Sequence, residues 1–219
     1  SQILLKQRPD GEPQESDFAQ VETDIPQPGD GEVLNRTLYL SLDPYMRGRM
    51  SDRKSYADPA KLGEVMVGAT VSQVVQSHHP DFSPGDFVLG YDGWQTYGVS
   101  KGDSLRKLDP NQAPISYALG LMGMPGMTAY FALLDVGQPQ PGETVVVSAA
   151  SGAVGSVVGQ IAKIKGCRAV GVVGSDEKCD YIVNDLGFDA SINRKTEDLT
   201  SALQKTCPDG IDVYVDNTA

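Results

Sequence analysis

Hydrophobic positions follow two different patterns along the 219 residues of this chain. In the first hundred residues, apolar side chains come in short, mostly alternating runs, such as 32–42 and 65–75, separated by turn residues. Many short strands with frequent turns are typical of a small barrel or sandwich. From about Ile115 onward, short apolar runs alternate with segments of helical spacing. That alternation predicts β-α units around a parallel sheet with right-handed crossovers, so the chain is expected to be an α/β protein.

The first region is predicted to be mainly strands. These strands are expected at 3–6, 32–42, 65–75, 87–91, 94–99 and 104–107. We predict that Phe87–Tyr91 and Trp94–Val99 form a hairpin across Asp92-Gly93. Asp43 is predicted to cap a short helix that has Pro44 in its first position.

The second region is predicted to hold two helices, at 117–120 and 128–134, joined through residues 122–126. Alternating strands and helices then follow at 145–148, 154–165, 168–173, 176–186, 190–193, 199–206 and 211–216. No internal repeat or long linker interrupts this order, so the β-α units are expected to share one sheet.

The stretch Val145–Gly159 organises the second region. It begins as a β-branched apolar run, passes through small residues and resumes with helical spacing. Ala150, Gly152 and Gly155 fill a G-x-G-x-x-G frame, in which small residues and a helix N-terminus suit a dinucleotide pyrophosphate. Close packing alone explains such a frame about as well. The β-α units around it favour the dinucleotide.

The end of the second strand of this region indicates which dinucleotide. An NAD site usually carries an acid there, whereas this strand ends Val173-Gly174-Ser175. Gly174 leaves room, Ser175 can donate a hydrogen bond, and Lys178 lies one helical turn further on, which together favour a 2′-phosphate and therefore NADP. Asp176 argues for NAD, but a helix cap explains it better. A merely solvated Lys178 remains the alternative.

Composition and charge exclude several other classes of function. A net charge of −11 argues against a nucleic-acid surface, and no apolar run approaches the length of a membrane span. Three widely spaced cysteines indicate reduced thiols and a cytoplasmic protein. The first region has no cysteine, and its two histidines, His78 and His79, are adjacent, so we expect no metal and no catalytic zinc site.

Hydroxyl groups are the remaining means of polarising a carbonyl or enone when no metal is present. Tyr45 and Tyr56 fall in predicted loop or short-helix segments of the first region, where substrate loops are expected. Tyrosine is a natural proton donor for such a task, so both are candidate catalytic residues. Ordinary structural tyrosines fit the same spacing equally well.

Four segments together resemble a known family. They are Leu38–Arg47 with its Asp-Pro-Tyr-Met-Arg element, Gly123–Tyr130 with Gly-Met-Pro-Gly-Met-Thr, Ala149–Gly159, and Gly174–Lys178. In this order, they are similar to the zinc-independent medium-chain dehydrogenase/reductases. The subgroup they resemble holds the prostaglandin reductases, leukotriene dehydrogenases, curcumin reductase and plant double-bond reductases.

The resemblance implies a fold, an activity and an assembly. It implies a GroES-like β domain at 1–121, an incomplete Rossmann domain at 122–219 with its first four strands only, and a cleft between them. The implied activity is NADPH-dependent reduction of the C=C bond of α,β-unsaturated ketones or aldehydes. An NADPH quinone reductase, or a truncated nucleotide-binding fragment without turnover, remains the alternative. A cytoplasmic homodimer is expected for the full-length form.

The resemblance also assigns roles to individual residues. It places Lys178 at the 2′-phosphate, together with Arg194, where relatives often carry a tyrosine. Tyr56 matches a loop tyrosine near the substrate in some relatives. The pyrophosphate would meet Gly152, Ala153, Val154, Gly155 and Ser156, whereas Met124, Thr128 and Asn217 would lie on the nicotinamide or ribose side.

The resemblance also concerns the end of the chain. The family typically continues past Asn217 with further strands, and a main active-site tyrosine of the family lies in that continuation. We therefore expect a fragment or a truncated form, whose fourth parallel strand is an open apolar edge.

Overall fold

A computed structural model describes residues 1–218 of the chain. It divides into two compact units, one formed by Ser1–Leu119 and the other beginning at Gly120. The predicted division lies after residue 121. Each unit has its own sheet and its own buried apolar clusters, so the two are described separately.

The first unit is mainly β, as predicted. Its elements are β1 (Gln2–Leu5), β2 (Phe18–Val21), β3 (Glu32–Leu40), α1 (Tyr45–Arg49), β4 (Thr70–Ser77), β5 (Phe87–Gly90), β6 (Tyr97–Lys101) and β7 (Arg106–Leu108). Short 3₁₀ turns lie at Glu15–Asp17, Gly102–Ser104 and Ile115–Leu119. The strand β2 was not predicted, because its sequence follows a polar, proline-containing stretch that is typical of a loop.

Strand pairing in the first unit differs from the prediction at one point. The five-stranded antiparallel sheet has the order β6-β3-β4-β5-β7, and β1 pairs with β2 in a second, two-stranded sheet. The predicted hairpin between Phe87–Tyr91 and Trp94–Val99 is therefore wrong, because β5 pairs with β4 and β7 while β6 pairs with β3. Asp92 is not an exposed turn residue. Its side chain is 7% exposed and accepts hydrogen bonds from Thr70 of β4 and Ser100 of β6.

The start of α1 also differs from the prediction. The N-cap position is Pro44, which has no side-chain cap hydrogen bond. The predicted cap Asp43 instead accepts a hydrogen bond from Ser41, with 3.0 Å between Ser41 Oγ and Asp43 Oδ1. The prediction of Asp43 as the cap is wrong because α1 begins at Tyr45, which places Pro44 at the N-cap and Asp43 one residue before it.

The second unit alternates strands and helices. Its elements are α2 (Met124–Tyr130), a π-helical segment (Phe131–Gly137), β8 (Thr144–Ser148), α3 (Gly155–Ile164), β9 (Arg168–Val173), α4 (Asp176–Asn184), β10 (Ala190–Asn193), α5 (Leu199–Thr206) and β11 (Val213–Val215). Residues 124–126, predicted to connect two helices, are helical, because Pro125 is well tolerated in a first helical turn.

The four strands of the second unit form one parallel sheet in the order β10-β9-β8-β11. All five residues of β8 are buried, as expected for a strand with both faces covered. The main cluster packs Val145 and Val147 of β8 against Val158 and Ala162 of α3. Because the strands are parallel, the turns after β8, β9 and β10 all start at the same edge of the sheet.

Within residues 1–218, no helix combines the length and the apolar character that crossing a lipid bilayer requires.

Candidate functional site

The turn between β8 and α3 is built from backbone contacts. Ala149 has a φ of 45°, and its carbonyl oxygen accepts a hydrogen bond from the Gly152 amide at 2.8 Å. A Cβ at Gly155 would lie 2.5 Å from that oxygen and 2.8 Å from the Ala150 Cα. Gly155 is therefore required so that α3 can begin directly against the end of β8.

The turn that leads into α3 leaves the amides of Ala153, Val154 and Gly155 without an acceptor among the described residues. The N-cap residue Val154 makes no side-chain cap hydrogen bond, and Ser156 donates its amide to Gly152 O at 2.9 Å. Gly152 and Ala153 are exposed, whereas Gly155 is buried beneath them. A helix N-terminus with unused amides and a partial positive charge is suited to a phosphate. The structure thus brings the five predicted pyrophosphate residues together in one turn.

Two cationic side chains, Arg194 and Lys195, lie beside Gly174 at the end of β9. A Cβ at Gly174 would meet only Lys195 Cε at 3.6 Å and the Arg194 guanidinium at 3.9 Å, both ordinary contact distances. Arg194 follows β10, and its amide donates to Val173 O at 3.0 Å, which fixes it beside the end of β9. Both cations are exposed, and the part of the chain that the structure describes offers neither of them a salt bridge.

The start of α4 corrects one prediction. The N-cap is Ser175, whose Oγ accepts the Lys178 amide at 3.3 Å, so the prediction that Asp176 caps the helix is wrong. Asp176 instead accepts a hydrogen bond from Asn193 of β10, with 2.6 Å between Asn193 Nδ2 and Asp176 Oδ1. Lys178 is exposed on the first turn of α4. Its contact with a 2′-phosphate stays a prediction.

The residues present fit a dinucleotide that carries a 2′-phosphate. Gly174 has no side chain, and the Arg194 guanidinium and Lys195 ammonium beside it form no salt bridge within residues 1–218. Two such cations favour a doubly negative group. Lys195 was missed by the sequence argument. Its position directly after Arg194, at the end of the neighbouring parallel strand, is the signal that identifies it.

The remaining predicted coenzyme residues lie on other elements of the second unit. Met124 and Thr128 are exposed on α2, which packs against α3, and Thr128 Oγ1 donates to Met124 O at 2.7 Å. Asn217 follows β11, and its amide donates to Ser148 Oγ at 2.6 Å. Asn217 therefore lies at the carboxyl edge of β8, the same edge at which the Gly152 turn begins.

The two candidate tyrosines lie in the first unit. Tyr45 is half-buried on α1 and packs on the cluster that contains Met46 and Met66. Burial, followed by the nearby Asp43 carboxylate, raises the pKa of Tyr45 above its ordinary value. Like any phenol below its pKa, Tyr45 carries its proton at neutral pH and can donate a hydrogen bond. Tyr56 is 85% exposed in the loop after α1. The catalytic roles of both stay predictions.

Residues 1–218 contain no group of three or more His, Cys, Asp or Glu side chains placed to hold a metal ion. Nε2 of His79, one of the two adjacent histidines, lies 3.2 Å from Oδ1 of Asp103 in the first unit. The three cysteines, Cys167, Cys179 and Cys207, are free thiols.

Two family models match most of the chain. Residues 1–108 match the N-terminal domain of oxidoreductase, and residues 153–219 match a model described as zinc-binding dehydrogenase. The first match covers most of the antiparallel unit, and the second runs from the β8–α3 turn onward.

The chain is also similar to individual known proteins. It is 55% identical to NADPH-dependent curcumin reductase of Escherichia coli (strain K12) over 98% of this chain and 62% of that protein. It is 44% identical to the NADP(+)-dependent 2-alkenal reductase of Nicotiana tabacum over 99% of this chain and 65% of that protein. The chain thus spans less than two thirds of the length of these curated relatives.

A solved structure shows the same fold. The crystal structure of CurA in complex with NADPH from Vibrio vulnificus matches with a TM-score of 0.95 and 54% identity, covering 100% of this chain and 65% of that one. The matched models, the relatives and this structure agree with the antiparallel unit and the parallel, helix-flanked unit described above. The chain therefore belongs to the medium-chain dehydrogenase/reductase family.

Proposed function

We propose that the whole protein is an NADPH-dependent reductase of the C=C bond of α,β-unsaturated ketones and aldehydes. The observation that carries this proposal is the pair of unpaired cations, Arg194 and Lys195, beside Gly174 at the end of β9. The names of the related curcumin and 2-alkenal reductases, together with the NADPH in the matching CurA structure, support the coenzyme and the substrate class.

The second unit is proposed to hold the coenzyme. The turn into α3 binds the pyrophosphate through the amides of Ala153, Val154 and Gly155, which have no acceptor among the described residues. Arg194, Lys195 and Lys178 bind the 2′-phosphate. Met124, Thr128 and Asn217 are proposed to lie near the nicotinamide and its ribose.

The first unit is proposed to supply hydroxyl donors. When bound, NADPH supplies the hydride that adds to the β-carbon of the substrate. Tyr45, a protonated phenol at neutral pH, donates a hydrogen bond to the carbonyl oxygen and stabilises the negative charge that develops there. Tyr56, on its exposed loop, is a second candidate donor.

A coenzyme-consumption assay tests this proposal. The loss of NADPH absorbance is followed with an enone, an enal and a quinone, each against a substrate-free control. Turnover of the enone or enal in preference to the quinone is expected. Preferential turnover of the quinone would identify a quinone reductase instead. Retained NADPH binding without turnover of any of the three would identify a nucleotide-binding form.

Phenylalanine variants test the two tyrosines separately. Tyr45→Phe and Tyr56→Phe keep the ring and remove the hydroxyl, so a donor role predicts a lower kcat with unchanged NADPH affinity. Tyr117→Phe, at an exposed tyrosine in the same unit, is the matched control. Unchanged kcat in both variants would remove Tyr45 and Tyr56 from the mechanism.

The location and assembly of the protein are also proposals. Free thiols at Cys167, Cys179 and Cys207 support a reducing compartment such as the cytoplasm. The family resemblance supports a homodimer for the full-length form, and light scattering of the purified protein tests it. A monomer at micromolar concentration would contradict the homodimer.

A further inference from the structure

One buried asparagine holds the acidic side chains next to the cation pair. Asn193, the last residue of β10, is 3% exposed. Its side-chain amide donates to Asp176 Oδ1 at 2.6 Å, and its backbone amide donates to Glu197 Oε1 at 2.8 Å. Both carboxylates that flank the cations therefore have hydrogen bonds to the same residue.

The same asparagine also shapes the segment that carries the cations. Its Oδ1 accepts the Lys195 amide at 3.1 Å, and its carbonyl oxygen accepts the amides of Thr196 and Glu197. Arg194 and Lys195 are thus fixed at the start of a tight turn. Over residues 1–218, neither cation forms a salt bridge with Asp176 or Glu197, although both acids are close in the fold.

The position of Asp176 makes this arrangement relevant to coenzyme choice. An acid near the end of the second strand of such a sheet accepts the ribose hydroxyls of NAD and repels a 2′-phosphate. Asp176 is only two residues beyond Gly174. A free carboxylate at Asp176 would therefore favour NADH and would also compete for Arg194 and Lys195.

We propose that Asn193 is a positioning residue for coenzyme selectivity. It binds the Asp176 carboxylate away from the ribose and leaves Arg194 and Lys195 unpaired for the 2′-phosphate. This inference rests on the proposed function, because it assumes that the 2′-phosphate lies beside Gly174. It explains how an acid at the start of α4 is compatible with an NADPH site.

A purely structural role of Asn193 makes a different prediction. If Asn193 only shapes the turn that carries Arg194 and Lys195, its loss weakens NADPH binding, and the further removal of the Asp176 carboxylate does not restore it. If Asn193 holds the Asp176 carboxylate away from the coenzyme, the loss of Asn193 weakens NADPH binding, whereas NADH binding is unchanged or stronger. Restoration of the NADPH preference by Asp176→Ala in the Asn193→Ala background therefore separates the two roles.

The test compares coenzyme binding by the wild type and Asn193→Ala, using calorimetric titration with NADPH and NADH. Loss of one hydrogen bond to a charged group predicts a fall of about tenfold in the preference for NADPH. Removing the released carboxylate, in Asn193→Ala with Asp176→Ala, is expected to restore most of the preference. Asn184→Ala, at the exposed last residue of α4, is the matched control.

Two further measurements keep the result independent of catalysis and of folding. Adenosine 2′,5′-bisphosphate and adenosine 5′-monophosphate probe the 2′-phosphate site directly, and Asn193→Ala should weaken only the former. Asn193→Asp keeps the acceptor for the Lys195 amide but loses the donor to Asp176, and it should also lower the NADPH preference. Circular dichroism checks that each variant is folded.

The outcomes distinguish this inference from the proposed function. A wild type without preference for NADPH would overturn the proposed function and this inference with it. A wild type that prefers NADPH, with an unchanged ratio in both Asn193 variants, would overturn only the role of Asn193. A lowered ratio that the Asp176→Ala change does not restore would also overturn it, because the released carboxylate would then not be the cause.

Discussion

The interior of the first unit contains a buried, hydrogen-bonded carboxylate, whereas the centre of the second unit is apolar. In the first unit, the buried Asp92 carboxylate accepts hydrogen bonds from the hydroxyls of Thr70, Ser72 and Ser100, at 3.2, 3.2 and 2.6 Å. In the second unit, β8 presents Val145–Val147, all fully buried and all apolar. One interior is therefore organised by directional hydrogen bonds and the other by close apolar packing.

This difference concerns where each unit places its polar and charged groups. The parallel sheet keeps polar groups out of its centre and exposes backbone amides and cations at the carboxyl ends of its strands. The antiparallel sheet places a polar residue inside, where it connects β4 with β6. Asp92 thus specifies strand pairing in the first unit, whereas glycine positions such as Gly155 specify the close approaches of the second.

The largest expected effect comes from removing the polar centre of the first unit. Asp92→Ala leaves several buried donors without their acceptor, which predicts a loss of about 3 kcal/mol in the free energy of unfolding. Trp94 is the single tryptophan and stacks on Phe18 within this unit, so its fluorescence during denaturant unfolding measures the loss.

Two further variants serve as controls for the unfolding measurement on Asp92→Ala. Asp92→Asn keeps the shape and one acceptor oxygen, so a smaller loss is expected. Asp10→Ala, at an exposed aspartate of the same unit, should leave the transition unchanged. Equal transitions in the Asp92→Ala and Asp10→Ala variants would show that the buried carboxylate does not organise this unit.

The corresponding test of the apolar centre is Gly159→Ala on α3. A Cβ there would lie 1.8 Å from Phe188 Cζ, and Phe188 is only 3% exposed. Alanine favours a helix over glycine by about 1 kcal/mol, but the overlap is expected to cost more and to leave a net loss of about 2 kcal/mol.

Amide hydrogen exchange of β8 measures this loss, and the Trp94 signal of the first unit should stay unchanged. Gly120→Ala is the control, because a Cβ at Gly120 meets no atom within 4 Å. Combining Gly159→Ala with Phe188→Leu should recover part of the stability. A stabilised Gly159→Ala protein would contradict the packing described here.

A smaller effect, on the preference for NADPH, is expected from removing cations of the proposed 2′-phosphate site. Lys178→Ala and Arg194→Ala each remove one charge from the proposed 2′-phosphate site, so the preference for NADPH over NADH should fall about tenfold, equivalent to about 1.4 kcal/mol. Dissociation constants for both coenzymes measure it. Lys165→Ala, at the exposed far end of α3, should leave the preference intact. Wild-type selectivity in the two site variants would contradict the assignment.

The smallest effect concerns the acid stability of the second unit. Burial alone would raise the pKa of Asp189, but its salt bridge with Lys163 at 2.7 Å and the Ala169 amide lower that pKa overall. Because the folded pKa lies below the unfolded one, the stabilisation is complete above about pH 4 and is lost as the pH falls through the folded pKa.

Unfolding of Asp189→Asn as a function of pH measures this contribution. The variant should have a flatter dependence of stability on pH below about pH 4, with little change in slope at neutral pH. Asp185→Asn, at an exposed residue beside α4, is the control. If Asp189→Asn has the same dependence of stability on pH in acid as the wild type, the Lys163 contact contributes nothing measurable to acid stability.

The sequence predicted the second unit more completely than the first. The predicted ranges of β9, β10 and α5 match the structure at both ends. Most of β9 is a continuous apolar run, which is typical of a buried parallel strand. In the first unit, every strand except β2 was located, but β5 and β6 were wrongly paired. Alternation marks a strand without stating which strand lies beside it.

The residues of the candidate site were likewise predictable where they depend on local sequence and not where they depend on strand pairing. Gly152, Gly155, Gly174 and Lys178 were recognisable from the sequence, because each belongs to a local frame of strand, turn and helix. Lys195 was not, because its closeness to Gly174 depends on the pairing of β10 with β9.

The sequence by itself determined the β-α order, the small-residue turn and the absence of an acid at the end of β9, since all three are local properties of consecutive residues. Only the tertiary structure decided that Asp92 is a buried centre and that Asp176 is bound by Asn193. Both depend on residues that lie far apart in the chain and meet only when their strands pair. Local composition carries no information about such long-range contacts.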